Sequence, residues 1–310
     1  MSGFEGFSAA DFSAFEEAKW GSHAFNRERL EVKLKLQTLG KALQTRLAAE
    51  LSGLEMGITE ERPSVFNRQR VRDLTLFFLR DEKARRMLDG ILERRRTIAE
   101  NLNDPALCHR HLYLGARVFS GGLRGGLFLH RDAWVDSENL LRRLGELYEG
   151  DRLEALLRAL PPEVRFGPAF AHEEAPLARD LRASALAEAI RANEEELAFY
   201  ADRPAGEASR EGPPLLDWMA GIFLGLLPLK NHISWRRDND FVSLAQTLQQ
   251  EEKKAELAFT GIKAGDSVRI KSGVAAGRIG RVESLERKGL LKVRVGPLLI
   301  AVQVEDVAIP

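Results

Sequence analysis

Three glycines at short intervals near the end of the sequence constrain the fold of this chain more than any other feature. Gly273, Gly277 and Gly280 fall within eight residues, directly after Val268 and Ile270, which alternate with polar side chains. That alternation has the two-residue period of a strand with one buried face. Glycine permits positive φ and a close approach of two backbones, as the turns and bulges of small barrels require. The pattern therefore predicts a strand followed by a sharply bent loop.

More short alternating segments follow this loop. Ile279 and Val282 resume the apolar side, and residues 291–295, 298–304 and 307–309 continue the alternation, with a Gly-Pro break after the first of these. Five short strands within fifty residues are typical of a small, strongly bent β-barrel. We therefore predict a separate C-terminal barrel over residues 262–310.

The spacing of glycines and apolar residues in this region is similar to that of a known family. The residues that carry the likeness are Gly265-Asp266-Ser267-Val268-Arg269-Ile270, Gly273, Gly277, Gly280, Val282, Val293-Arg294-Val295-Gly296 and Val304-Glu305-Asp306-Val307. They resemble the KOW motif, which occurs in SH3-like barrels of NusG-type transcription factors and of some ribosomal proteins. The resemblance implies an SH3-like barrel whose partner is RNA, DNA or a protein.

Charge in the predicted barrel favours an anionic partner. Residues 262–310 hold nine Lys or Arg against five Asp or Glu. Arg269, Lys271, Arg278 and Arg281 flank the glycine loop, and we expect them to share one rim that contacts phosphates, because each such contact releases counterions. The alternative is an ordinary solvated surface. No aromatic residue occurs in this region, so stacking on single-stranded bases is absent from the predicted interface.

Composition sets the frame for the remaining chain. With 310 residues, 44% of them hydrophobic, the chain can bury two cores, and we predict domains over residues 1–258 and 262–310. Lys and Arg balance Asp and Glu at 46 each, so the protein is not a polycation that coats nucleic acid unspecifically. The one cysteine, Cys108, excludes an internal disulfide and favours a reducing cytoplasm.

No targeting or membrane-spanning segment is predicted. The first eleven residues lack the basic and apolar regions of a signal peptide. The longest apolar run, residues 215–229, is too short to span a bilayer. We interpret it as a buried core helix, with an interfacial membrane helix as the alternative.

The body is predicted to be α+β, mainly helical with antiparallel hairpins. It is also loosely similar to bacterial α+β families of unknown function, from which no residue role is transferred. The predicted helices are 9–17, 27–51, 81–101, one starting near 136, 151–160, 176–200, 215–227 and 241–259. The predicted strands are 69–79, a hairpin over 110–131 and 164–166, and residues 203–214 are predicted to be an exposed loop.

Residues 62–96 are the most basic stretch of the body, with eleven Lys or Arg and five Asp or Glu. They are a candidate phosphate-binding surface. The alternative is pairing of these arginines with the acids of the same stretch. The candidate contact residues are Arg68, Arg70, Arg72, Arg94, Arg95 and Arg96.

Histidines near the predicted hairpin form the one constellation of possible catalytic or metal-binding residues. His109 and His111 are predicted to share one face of a strand, with His130 and Asp132 on its partner. Two histidines and a carboxylate are a ligand set for Zn²⁺ or Fe²⁺. The preferred interpretation is a solvated strand face that holds no metal or other cofactor.

No nucleophile elbow, Walker motif, dinucleotide fingerprint or Cys-x-x-Cys pair occurs in the sequence. We therefore expect a non-enzymatic protein whose barrel docks to RNA, DNA or a nucleoprotein complex. The first alternative is a protein-interaction or assembly module that acts through the barrel. The second is a metal-dependent hydrolase or nuclease in the body. The sequence leaves the oligomeric state open.

Overall fold

A computed structural model shows a chain of two compact units, Met1–Val242 and Ser243–Pro310. Both units contain an antiparallel sheet and the first also carries helices, which confirms the α+β class. The predicted domain boundary falls within residues 245–261, outside the described residues, and stays a prediction. The structure describes residues 3–64, 67, 69–86, 88, 107–170, 175–244, 262–272, 275–286 and 290–308.

A six-stranded antiparallel sheet forms the centre of the first unit. Its strands are β1 (Leu54–Ile58), β2 (Asp73–Arg80), β3 (Tyr113–Phe119), β4 (Gly122–His130), β5 (Arg165–Pro168) and β6 (Glu196–Pro204). They lie in the order β1-β2-β3-β4-β6-β5. The predicted hairpin is confirmed as β3 and β4, but the body contains a full sheet rather than isolated hairpins.

Helices cover one face of this sheet. Leu76 of β2, Leu127 of β4 and Phe199 of β6 point into that helix-covered core. We call this side of the sheet the helix face. The helices are α1 (Ala9–Ser13), α2 (Asn26–Arg46), α3 (Trp134–Arg143), α4 (Glu149–Arg158), α5 (Ala183–Arg191), α6 (Ala205–Glu211) and α7 (Pro214–Ile233).

The apolar helix α7 lies within the core, as its sequence predicts. Most of its side chains are buried, and it packs against β3, β4 and α2. A narrow stripe that includes Asp217, Gly221 and Leu224 is exposed, as on a core helix that keeps one side toward solvent. No helix in the described part of the chain is by itself long and apolar enough to cross a membrane. Taken together, α6 and α7 meet the same length and composition test, with a bend of 115° between them.

The opposite face of the sheet is buried as well. A second apolar cluster there includes Tyr113, Phe128 and Tyr200, with Cys108 packed against it. Two arginines, Arg117 and Arg124, share this face. We call it the arginine face. Since both faces are covered, the central strands carry continuous apolar runs instead of a simple alternation.

The predicted helix over residues 176–200 is wrong. Helix α5 ends at Arg191, and the Ala- and Glu-rich segment after it is strand β6, which pairs with both β4 and β5. Leu197 faces the helix side while Ala198 and Tyr200 face the arginine side. Burial on two faces outweighs the helix propensity of alanine and glutamate. The predicted loop over 203–214 is wrong too, because β6 continues into α6.

Other boundaries differ by a few residues. Helix α2 ends at Arg46 instead of residue 51, and the turns after it lead into β1, which the sequence analysis missed. Strand β2 begins at Asp73, so Arg70 and Arg72 precede the strand. Of the helix predicted over 81–101, residues 82–86 are helical and most of the remainder lies outside the described residues. Residues 241–243, the start of the helix predicted over 241–259, are not helical, and residues 245–259 lie outside the described residues.

The second unit contains a five-stranded antiparallel sheet, the C-terminal sheet, which is curled into a half-barrel. All five predicted segments form strands. They are β7 (Ser267–Ile270), β8 (Ile279–Glu286), β9 (Leu290–Val295), β10 (Leu298–Gln303) and β11 (Val307–Ala308), in the order β10-β9-β8-β7-β11. Gly280 is required for a close approach, because a Cβ there would lie 2.4 Å from Val293 Cγ1. The shape is compatible with a small barrel.

Candidate functional sites

The outward face of the C-terminal sheet carries the predicted barrel cations. Val268 and Ile270 are buried, so alternation turns Arg269 outward on β7, and Arg281 is exposed on β8. Lys271 and Arg278 are exposed at the closed end of the β7–β8 hairpin, where the Ile270 N–H donates to the Arg278 carbonyl at 2.9 Å. The structure therefore brings these four predicted cations together along one hairpin.

Arg294 extends this row and was missing from the predicted set. It lies directly opposite Arg281 in the β8–β9 register, and Leu299 of β10 lies opposite Arg294. Arg269 is paired with Ile279, which makes it a diagonal neighbour of Arg281. The alternation of Arg294 with apolar residues was visible in the sequence. Its place in the row was not, because the strand register decides it.

The charges in this row are only partly compensated. Arg294 forms an ion pair with Glu283, and its hydrogen bond lowers the pKa of that carboxyl and raises the pKa of Arg294. Arg281 Nε donates to the Gly265 carbonyl at 3.0 Å, which supplies a hydrogen bond but no countercharge. Direct cross-strand pairs of like charge are destabilising. We call Arg269, Arg281 and Arg294 the arginine row.

The basic stretch of the body is described only in part. Arg70 and Arg72 are exposed in the segment before β2. The guanidinium of Arg72 stands over the Trp20 ring, 5.3 Å from its centroid. Arg68, Arg94, Arg95 and Arg96 lie outside the described residues. Their candidate role in phosphate binding stays a prediction.

The histidines do not share a strand face as predicted. His109 lies in a 3₁₀ turn, Leu107–Arg110, and His111 precedes β3. The His109 ring stacks on His130 with 4.2 Å between centroids, and His130 Nδ1 lies 3.6 Å from an Asp132 carboxylate oxygen. The prediction failed because the strand begins later than expected. A short turn precedes β3, and the side chains of His109 and His111 therefore point in different directions.

His111 stands apart from the other histidines and is almost completely buried. Neither ring nitrogen has a hydrogen-bond partner among the described residues. Burial lowers the pKa of His111 to about 3, with a further contribution from Arg80. The described residues contain no group of three or more His, Cys, Asp or Glu side chains arranged to hold a metal ion. The geometry thus gives the hydrolase alternative no metal centre within these residues.

The arginine face holds a hydrogen-bonded network that the sequence analysis missed. Arg117 Nη2 lies 2.6 Å from Glu196 Oε2, and Arg117 also donates to Thr75 and Tyr113. Its guanidinium lies between the Phe128 and Phe170 rings, 4.5 Å from each centroid. The sequence did contain a sign of this network, because Arg117 interrupts an otherwise apolar strand. Alternation alone could not say whether its side chain met solvent or a covered face.

Opposing effects act on the pKa values of this ion pair. Burial alone lowers the pKa of Arg117, but the Glu196 and Asp73 carboxylates raise it above the ordinary value. Burial raises the pKa of Glu196, and Arg117, with His109, brings it below the ordinary value. Both groups are therefore held charged, as a buried pair with good geometry requires.

Arg124 is anchored beside this pair. Its Nε and Nη2 donate to the two carboxylate oxygens of Asp202, both at 2.8 Å, in a bidentate contact. Its Nη1 donates to the Ala169 carbonyl at 2.7 Å, and the same carbonyl accepts from Arg117 at 3.4 Å. The Tyr200 ring lies under the guanidinium, 3.7 Å from its centroid. Packing and hydrogen bonds fix both arginines.

A pocket of about 120 Å³ opens over these two arginines. Three rings form its walls, Trp20, Phe119 and Phe170. Arg117 and Arg124 form its buried floor. Arg72 and Asp73 form its polar edge. We call this space the aromatic pocket. It combines planar apolar surfaces with charged groups, as small-molecule sites commonly do.

Comparison with known proteins adds no assignment to either site. No protein-family model matches the chain, and no curated protein sequence matches it. The likeness of residues 262–310 to KOW-type barrels therefore stays a prediction. The arginine row and the aromatic pocket have to be interpreted from their own geometry.

Proposed function

We propose that the C-terminal unit is an SH3-like barrel of the KOW type that docks this protein to RNA, DNA or a nucleoprotein complex. In this proposal the body is a platform without catalytic activity. The observation that supports it is the direct cross-strand pairing of Arg281 with Arg294, with Arg269 on the diagonal. Like charges placed directly opposite each other destabilise the sheet, and contact with a row of phosphates would offset this repulsion.

The chemistry of the face favours contact with the nucleic-acid backbone over recognition of bases. Arginine donates up to five N–H groups and can contact phosphate in a bidentate manner. No aromatic residue occurs between residues 262 and 310, so this part of the unit offers no stacking platform for unpaired bases. Backbone contacts position a protein without reading sequence. We therefore expect binding that is strongly salt-dependent and weakly sequence-dependent.

A salt titration of the full chain tests this proposal. Binding to a mixed-sequence RNA duplex, a DNA duplex and the matching single strands is measured between about 50 and 200 mM salt. The double variant Arg281→Gln/Arg294→Gln should lower the slope of log affinity against log salt by about 0.9 for each lost contact on duplex DNA, and by about 0.7 on a single strand.

The matched control removes two exposed arginines of the body. Arg27 and Arg158 are each paired with an acid on their own helix, and their side chains are 90% and 60% exposed. The Arg27→Gln/Arg158→Gln variant has the same net charge as the test variant. Equal salt slopes for the two variants, or no binding by the unaltered protein, would contradict the proposal.

Docking to a protein is the second candidate, because apolar side chains lie beside the arginine row. Ile279 is 53% exposed, Leu298 65% and Leu299 46%. Apolar residues ringed by charge are typical of protein interfaces. An Ile279→Ser/Leu299→Ser variant should leave nucleic-acid binding nearly unchanged under the first proposal. If it abolishes capture of a protein partner while the arginine variant does not, the second candidate replaces the first.

A further inference from the structure

The floor of the aromatic pocket has N–H donors that make no hydrogen bond within the described part of the protein and can therefore bind a ligand. Arg117 uses four of the five N–H donors of a guanidinium and Arg124 uses three. The remaining donors belong to side chains that line the pocket and are at least nine-tenths buried. Buried donors that lack an acceptor are costly, so the floor favours a ligand with acceptor atoms.

The polar edge of the pocket offers one donor group and one acceptor. Within the described residues, Arg72 has its Trp20 ring contact and no ion pair. Asp73 Oδ1 accepts from the Thr75 hydroxyl at 2.9 Å and lies 3.6 Å from Arg117 Nε. Its other oxygen makes no hydrogen bond within the part of the chain that the structure describes. A ligand can therefore place an anionic group at Arg72 and an N–H group at Asp73.

The walls select for a planar ring. Trp20, Phe119 and Phe170 present aromatic surfaces to a space of about 120 Å³. Aromatic pairs are stabilised in stacked and edge-to-face arrangements. The sides of the pocket are apolar, so a sugar alone would leave many of its hydroxyl groups unpaired there.

The pocket is held open by the fold itself. Trp20 Nε1 donates to the Phe15 carbonyl at 2.7 Å, and the Val71 N–H donates to the Trp20 carbonyl at 3.0 Å. These bonds fix both Trp20 and the segment that carries Arg72. Preorganised walls reduce the entropy cost of binding.

We propose that the aromatic pocket binds a nucleotide, with its base between the rings, an N–H group of the base on Asp73 and its phosphate on Arg72. The site belongs to the body and goes beyond the docking function proposed for the C-terminal unit. The same chemistry is presented by a free mononucleotide and by the terminal nucleotide of a strand.

Calorimetric titration of the full chain tests the site. AMP, CMP, GMP and UMP are the probes, with ribose 5-phosphate and adenosine as probes that lack the base or the phosphate. At least one mononucleotide should bind, and each truncated probe should bind about tenfold more weakly or worse, because a hydrogen bond to a charged group or a stacked ring is lost. A 5′-phosphorylated pentanucleotide shows whether a strand end also enters.

Matched variants decide whether the aromatic pocket is responsible. Arg72→Gln should weaken mononucleotide binding about tenfold, whereas Arg46→Gln, at an exposed position on α2 outside the pocket lining, should not. Phe170→Leu should weaken it as well, whereas Phe25→Leu should not. Thermal unfolding of each variant verifies that it is folded.

The two proposals can fail separately. Phe170→Leu should weaken mononucleotide binding and leave the salt slope of duplex binding unchanged, whereas Arg281→Gln/Arg294→Gln should lower that slope and leave mononucleotide affinity unchanged. The pocket proposal is overturned if no mononucleotide binds at millimolar concentration. It is also overturned if ribose 5-phosphate binds as tightly as the mononucleotides, or if Arg72→Gln and Arg46→Gln have equal effects.

Discussion

Arg117 on β3 and Glu196 on β6 form an ion pair that reaches past the intervening strand β4, with Nη2 2.6 Å from Oε2. Both side chains are almost completely buried. The Tyr113 hydroxyl also donates to Glu196, at 2.7 Å. The pair therefore connects β3 to β6 through side chains, whereas the backbone ladder joins these two strands only through β4.

Removal of one partner should be severe. Glu196→Gln leaves the buried Arg117 charge with only the more distant Asp73 carboxylate among the described residues, and we expect the free energy of unfolding to fall by about 3–5 kcal/mol. Urea unfolding followed by circular dichroism measures this, with the exposed Glu207→Gln as control. The double variant Arg117→Met/Glu196→Leu should recover much of the loss, since it removes both buried charges of the pair. Equal stabilities of Glu196→Gln and Glu207→Gln would contradict the assignment.

Acid should destabilise the body through His111. Its folded pKa of about 3 lies below the value of about 6.5 expected in the unfolded chain. The unfolded state thus binds a proton that the folded state does not, and stability falls as pH drops below about 6.5, by about 1.4 kcal/mol per pH unit, until about pH 3.

The variant His111→Phe should flatten this dependence. Chemical unfolding between pH 5 and 7 measures it above the range in which most carboxylates titrate, and the exposed His23→Phe is the control. Burial lowers the pKa of His232 to about 4, so part of the slope should persist with the same sign. An unchanged slope in His111→Phe would show that this histidine is not held neutral by burial.

The arginine row should carry a stability cost of its own. Arg281→Thr removes the like-charge contact with Arg294, and we expect a gain of a few tenths of a kcal/mol in the stability of the second unit. Arg269→Thr is the control, because Arg269 lies opposite Ile279 and is only a diagonal neighbour of Arg281, so its removal should stabilise the unit less. Hydrogen exchange of β8 and β9 amides measures the effect. A larger loss for Arg281→Thr than for Arg269→Thr would contradict it.

The β3–β4 turn depends on Gly122. Its φ is +144°, and a Cβ there would lie 2.1 Å from the Arg203 carbonyl oxygen and 2.8 Å from the Ala205 nitrogen. Gly122→Ala should therefore cost about 2 kcal/mol or more, measured by thermal unfolding. Gly206→Ala is the opposite case, since α6 has open space at that position and alanine favours the helix by about 1 kcal/mol. Similar losses in both variants would refute this account.

Sequence patterns predicted those parts of the fold whose structure is determined by interactions between residues close together in the chain. The β3–β4 hairpin and the five C-terminal segments combine alternation with glycine turns, and both signals act over a few residues. Strand β6 was taken for helix because Glu194-Glu195-Glu196 and the alanines around it have helix propensity. Burial on both faces of the sheet decides its structure, and that depends on partners far away in sequence.

The candidate sites show the same division. Arg269 and Arg281 were predicted because they flank a loop that the glycines reveal. Arg294 was missed because its position depends on the strand register. The pocket floor was missed because it depends on which face of the sheet is covered. Neither can be obtained from the sequence of one strand alone. A short strand such as β1 gives too few residues for a periodic signal.

The Ala169 carbonyl accepts hydrogen bonds from Arg117 and from Arg124, and Phe170 follows it in the chain. One backbone oxygen thus links the edge segment after β5 to the two central strands. A displacement of that segment would break both bonds and move a pocket wall at once. The edge of the sheet and the interior of the pocket are therefore mechanically coupled. Pressure or a truncation that displaces β5 should change the hydrogen bonding of Arg117 under conditions in which the apolar core is still folded.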